Sequence, residues 1–245
     1  MGSIIVLEPL PSISIMKRTS TEVFLVWYSN SMKEYEYYLL DWDGNLAKTL
    51  DVWLEACRYV VEKRGVNVTE EQIGSSFGAF VSHMREWGIE DPEVAMDEAD
   101  EIAKRELPNV DLYPDALHVL KGLSEHGKHV ALITTSPHEN VQHLLEKHNL
   151  KQYFEVIVAA DDTKNHKPHS EPLEKAIELL RGEKEHAVMI GDSDKDLGAA
   201  RNFGIDSILF YPDEHRKFYN LEKLKELEPT FIIENFKTIL DPFSR

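Results

Sequence analysis

Two hydrophobic patterns alternate along the chain. One is a short apolar run that stops at polar residues. Tyr37-Tyr38-Leu39-Leu40 leads into Asp41-Trp42-Asp43-Gly44, which predicts a buried strand closed by a turn. His129–Thr134, Val156–Ala159, Ala187–Ile190, Ser207–Phe210 and Phe231–Ile233 read the same way. Their apolar positions are continuous rather than alternating, as expected of strands covered on both faces. The other pattern has the helical period. Leu50, Trp53, Leu54, Cys57, Val60 and Val61 predict a helix over 50–63.

Further helices follow from period and end signals. Thr69-Glu70-Glu71-Gln72 has the form of a capping box. Ser75-Ser76-Phe77-Gly78 reads as a loop, and 80–87 and 93–107 as helices. Segments 114–126, 171–181 and 194–203 are helices that stop at Gly127, Gly182 and Gly204. Ser136-Pro137-His138-Glu139 reads as a capping box with proline in the first turn. After residue 112 strands and helices alternate, which predicts an α/β fold with a parallel sheet. Between the first and second strands lies a purely helical stretch. The expected division is an α/β core of 32–48 and 112–245 with a helical insert of 49–111. Residues 1–31 carry apolar runs at Ile4–Leu7 and Val23–Trp27 and read as a leader or extension outside the core.

Composition narrows the function classes. The 245 residues suffice for one large domain with an insert. A net charge of −17 argues against a nucleic-acid or anionic-membrane partner. No apolar run is long enough to span a bilayer as a helix. One cysteine, Cys57, excludes an internal disulfide and fits a reducing, cytoplasmic setting; it reads as a core side chain. The eleven histidines show no metal-ligand spacing and read as surface or loop residues. Trp42 reads as core, Arg85 as structural, and Asp161, Asp162 and Asp194 as turn and cap residues. Asn67-Val68-Thr69 has the form of a glycosylation sequon and is taken as a chance match.

The polar groups that remain collect at strand ends, where a parallel sheet places its ligand sites. Asp41 and Asp43 follow the first strand, and in an extended segment they point to one side. Thr134-Thr135 closes the second. Lys167-Pro168 follows the third, and Gly191-Asp192-Ser193-Asp194-Lys195-Asp196 the fourth. Two carboxylates as close as Asp41 and Asp43 repel unless a cation or shared proton relieves them.

This order of DxDG, threonine, Lys-Pro and GDSxxD resembles the phosphatase branch of the haloacid dehalogenase superfamily, over roughly residues 37–240. The helical insert is similar to the cap of phosphoglycolate-phosphatase-like and β-phosphoglucomutase-like members. The resemblance implies a Rossmann-like three-layer core with a small helical cap. It implies that Asp41 is a nucleophile forming an aspartyl-phosphate and that Asp43 is the acid/base. One Mg²⁺ would be held by Asp41, the Asp43 carbonyl and Asp192. Thr134, the Thr135 amide and Lys167 would bind phosphate, and Asp196 would orient Lys167 or a metal-bound water.

Two departures stand out. Asn45 replaces the threonine or valine common after DxDG, and Lys48 stands where an aspartate is common. Asp43 is a carboxylate that dehalogenase members lack, which favours phosphoryl transfer over carbon–halogen cleavage. The expected activity is Mg²⁺-dependent hydrolysis of a small phosphorylated metabolite by a monomer or small homo-oligomer. The alternatives are a phosphomutase of the β-phosphoglucomutase type and a non-catalytic binding protein on the same fold.

Overall fold

The computed structural model describes residues 32–77 and 79–243. The expected leader at 1–31 lies outside the described residues.

The chain enters through β1 (Tyr37–Leu40). It then runs through α1 (Leu50–Lys63), α2 (Glu70–Ser75), α3 (Phe80–Glu86) and α4 (Pro92–Glu106) before returning as α5 (Ala116–Glu125). The alternating part follows: β2 (His129–Ile133), α6 (His138–Lys147), β3 (Val156–Val158), α7 (Glu171–Leu180), β4 (Ala187–Gly191), α8 (Asp194–Phe203) and β5 (Asp206–Phe210). A short α9 (Leu221–Lys225) and β6 (Phe231–Ile233) complete it. Among the described residues these six strands form one parallel sheet in the order β3-β2-β1-β4-β5-β6.

Both faces of the sheet are buried, which explains the continuous apolar runs. Tyr38, Leu40, Val130, Leu132, Val188 and Ile190 pack one face against α5, α6 and Phe236. Leu39, Ala131, Ile133 and Met189 pack the other against α7 and α8. Each fully buried side chain of this size contributes about 1.5–3 kcal/mol relative to exposure. The four helices α1 to α4 bury a separate cluster that includes Leu54, Val60, Val61, Ile73 and Met84.

Several local expectations are met and others corrected. Thr69 and Gln72 form the reciprocal capping box of α2. At α6 the expected box is absent: Pro137 is itself the N-cap in extended conformation, and Ser136 lies outside the helix. Trp42 is core, as expected. His215 is not a surface residue but fully buried. The rings of Tyr113, Phe210, Tyr211 and Tyr219 surround it, and the Tyr113 hydroxyl and its Nε2 share a hydrogen bond at 2.8 Å. Burial lowers the His215 pKa to about 3, so the ring is neutral.

The strand order reverses at β1: β2 and β3 lie on one side, β4 to β6 on the other. Ligands in such sheets bind beyond the carboxyl ends of the strands at that switch point.

Candidate active site

Register brings the motif residues level. Leu40 aligns with Leu132 of β2 and with Ile190 of β4. Asp41 is therefore one step past the paired strands, and its amide still donates to the Ile190 carbonyl (2.9 Å). Thr134 and Asp192 follow at the ends of the neighbouring strands.

Gly44 turns the chain away from β1. Its φ is +73°, and a Cβ there would stand 2.3 Å from Asp192 Oδ2. Only glycine meets both demands. Asn45 is buried beneath the turn, donating to the carbonyls of Asp41 (3.0 Å) and Ile190 (3.3 Å). The unusual residue after DxDG thus ties the two central strand ends together.

Lys167 reaches the centre from the loop between β3 and α7. Its ammonium donates to Asp41 Oδ1 (2.5 Å), Asp196 Oδ1 (2.6 Å) and the Ile133 carbonyl (3.0 Å). An ammonium has three hydrogens, so all are used. Burial opposes its charge, but Asp196 and Asp41 more than offset that and hold Lys167 protonated above its ordinary range. Asp196 also accepts from the Ser193 amide (3.1 Å) and hydroxyl (2.6 Å), which caps α8 and fixes the carboxylate.

Asp41, Asp192 and Asp196 are buried, and one oxygen from each lies within 4.8 Å of the others. Burial raises the pKa of Asp41, Asp196 raises it further, and Lys167 opposes. Asp192 is raised well above the carboxylate range by burial, then by Asp196 and Asp41. Its Oδ2 is buried with no hydrogen bond among the described residues. Tyr219 stands against Asp192; burial and that carboxylate raise its phenol pKa. Three carboxylates around one saturated ammonium leave an excess of negative charge, which a divalent cation would relieve.

Asp43 is held apart from this cluster. Its Oδ2 accepts from the Ser136 hydroxyl at 2.7 Å. The Thr134 hydroxyl accepts from the Ser136 amide (3.0 Å). Thr135 and Ser136 line a cavity of about 440 Å³ above the strand ends, with Asp41, Asp43, Lys167 and Asp192. The far wall belongs to the helices of the insert, with Trp53, Phe77, Phe80 and Met96.

The profile of the haloacid dehalogenase-like hydrolases matches residues 38–210 of this chain. The chain belongs to that family. A Caldanaerobacter subterraneus protein assigned as the pyrophosphatase PpaX is 29% identical over 205 residues, covering 82% of this chain and 91% of its own. A Bacteroides fragilis crystal structure assigned to the haloacid dehalogenase-like hydrolases superposes with a TM-score of 0.72 at 26% identity, covering 82% of this chain and 98% of that one. The fold is also that of CbbY from Rhodobacter sphaeroides, solved with xylulose 1,5-bisphosphate: TM-score 0.66, 20% identity, 82% and 95% covered. The chain is therefore an enzyme, a hydrolase with phosphatases among its relatives and the fold of the phosphoglycolate-phosphatase-like branch.

Within this hydrolase the structure adds residues that the sequence pattern did not single out. Ser136 read as a helix cap, yet it bonds Asp43. Tyr219 lies far along the chain in a segment with no motif. Asp196 was expected beside Lys167, and the two are in contact. Asp196 joins Asp41 and Asp192 in the buried acidic cluster. Arg85 pairs with Glu93 on the surface of the insert.

Proposed function

We propose that the enzyme is a divalent-metal-dependent phosphohydrolase acting on a small phosphorylated metabolite, with Asp41 as nucleophile. The observation that supports this most strongly is the buried Asp192 Oδ2, without a donor, beside Asp41. A buried carboxylate oxygen with no donor is costly unless a cation completes it.

The donor set fits a hard ion such as Mg²⁺, because every candidate ligand is an oxygen. Asp41, Asp192 and the Asp43 carbonyl would hold it, since Asp196 is already engaged by Lys167 and Ser193. When bound, the ion would offset the carboxylate charge and that of the phosphoryl group.

The chain's own groups then divide the work. Asp41 attacks phosphorus, and its new bond to phosphorus forms as the ester P–O bond breaks. Asp43 gives its proton to the departing alcohol and later takes one from the water that cleaves the aspartyl-phosphate. Ser136 donates to Asp43 and so fixes that carboxyl group in place for both transfers. Lys167 aims the Asp41 carboxylate and balances its charge. The Thr135 amide, at the cavity edge, would offer a donor for a phosphoryl oxygen. Helices α1 to α4 act as a cap that excludes bulk water. Cys57, a single free thiol, suits a reducing cytoplasmic setting.

The test is hydrolysis of p-nitrophenyl phosphate with Mg²⁺ and with a chelator, for wild type and Asp41→Asn. Mg²⁺-dependent release that the substitution reduces by at least about a thousandfold is expected. Release that survives the substitution would remove Asp41 from the mechanism. Conversion of a hexose 1-phosphate to the 6-phosphate without free phosphate would replace hydrolysis with the mutase reaction.

A further inference from the structure

The cavity has walls of opposite character. Its floor holds Asp41, Asp43, Lys167 and Asp192, whereas its roof is apolar. Trp53 comes from α1, Phe77 from the turn after α2, Phe80 from α3 and Met96 from α4. Cys57 adds to this wall as an uncharged thiol, because burial pushes its pKa up to about 12. These side chains are not all needed for the insert's own core, which Leu54, Val60, Val61, Ile73 and Met84 already fill. Trp53, Phe77 and Met96 pack against that core on one side and, partly exposed, line the cavity on the other.

The charged groups on the roof are Asp100 and Lys104, one helical turn apart on α4. Lys104 is shared with Glu101 at 3.4 Å. Asp100 is half-buried and accepts no hydrogen bond among the described residues, and burial raises its pKa. On the floor side Lys195 pairs with Asp194 at 3.0 Å. No arginine lines the cavity among the described residues. A second phosphate, or a carboxylate beyond the reacting phosphate, would find only cations already paired with carboxylates. At about 440 Å³, the space lies within the roughly 300–1,000 Å³ that takes organic ligands of drug size.

We propose that the substrate is a phosphate monoester whose alcohol carries a flat apolar group, seated against Trp53, Phe77, Phe80 and Met96. This rests on the reading of Asp41 as the phosphohydrolase nucleophile and narrows its substrate class. Hydrolysis consumes one water and yields the free alcohol and inorganic phosphate. Aromatic faces and an adaptable thioether hold a planar group by burial and stacking. Pyrophosphate has no apolar part to use this roof.

The test compares kcat/KM with Mg²⁺ for 3-phenylpropyl phosphate, glycerol 3-phosphate and pyrophosphate. The first two both release a primary alcohol, so their ratio reads recognition rather than leaving-group reactivity. Wild type is expected to favour 3-phenylpropyl phosphate over glycerol 3-phosphate by at least about tenfold, and also over pyrophosphate. Trp53→Ala and Met96→Gln should each cut the first ratio about fivefold, mainly through KM, with unfolding midpoints measured alongside. A wild-type preference for glycerol 3-phosphate or pyrophosphate overturns the substrate class and leaves Asp41 chemistry standing. The substrate class is equally overturned if neither variant, folded, changes the ratio. No Mg²⁺-dependent turnover of any of the three, nor of p-nitrophenyl phosphate, overturns both readings.

Discussion

The floor and the roof of the cavity follow different design rules. The floor is polar and mostly buried: its carboxylates sit at strand ends and at the cap of α8, and Lys167, from the loop before α7, spends all three donors on them and the Ile133 carbonyl. The roof is apolar and borrowed from helices whose other faces form a core of their own. On the proposed mechanism, such a division would put chemistry on the sheet and selection on the insert. It also explains how one set of motif residues serves enzymes of different substrates, since the roof can change without disturbing the floor.

A strap joins the two halves. After β5 the chain crosses to the insert, where Phe218 packs into its apolar cluster and Tyr219 turns back to Asp192. Phe218 stacks on Phe77, and a Cβ on Gly74 would stand 2.9 Å from its Cα. Glu214 pairs with Lys48 at 3.0 Å, and Lys217 with Asp51. Floor and roof are thereby tied at a point other than the covalent linkers.

Three substitutions probe this contrast. Lys167→Met strikes the floor and should have the largest effect. It leaves Asp41 and Asp196 buried without their ammonium, which costs about 3–5 kcal/mol of stability and abolishes turnover. Denaturant unfolding and the p-nitrophenyl phosphate assay check it. A variant that is as stable as wild type would show the ion pairs to be dispensable.

Phe218→Ala loosens the strap. Loss of a buried phenylalanine costs about 3 kcal/mol or more. The expected signature is earlier unfolding of the insert in hydrogen exchange, over 50–106, ahead of the sheet. Uniform destabilisation would mean that the two halves unfold as one.

The smallest effect concerns His215. Its folded-state pKa, about 3, lies below the unfolded value near 6.5. The unfolded chain therefore binds the extra proton. Stability is present above pH 6.5 and is lost as the pH falls from there toward 3. Between about pH 6.5 and 5 the loss is about 1.5 kcal/mol. His215→Gln should flatten the thermal midpoint across that window relative to wild type, and parallel profiles would refute the assignment.

The same contrast governs what could be read from the sequence. The sheet was legible because the continuous apolar runs are short and bounded by turn residues, as strands buried on two faces are. The floor was legible because Asp41 and Asp192 are polar residues at the point where such a run stops, and Lys167 because its Lys-Pro pair completes the order of motifs. The roof was not. Trp53 and Met96 share the helical period of Leu54 and Val60, and periodicity does not say which apolar residue faces a cavity. Ser136 carried a local signal, a helix cap, that competed with its contact to Asp43. His215 and Phe218 gave no signal, since their partners Tyr113 and Gly74 lie more than a hundred residues away in sequence. Asn45 read as a departure from a family pattern, and only the bonds to two strand-end carbonyls give it a reason.

Everything proposed for the floor depends on its being a cation site. Calorimetric titration of the substrate-free enzyme with Mg²⁺, for wild type and Asp192→Asn, tests that claim without any assumption about substrate. One saturable site in wild type, weakened at least about tenfold in a folded Asp192→Asn, is the predicted result. Absence of binding to wild type, or equal binding to the variant, would contradict it.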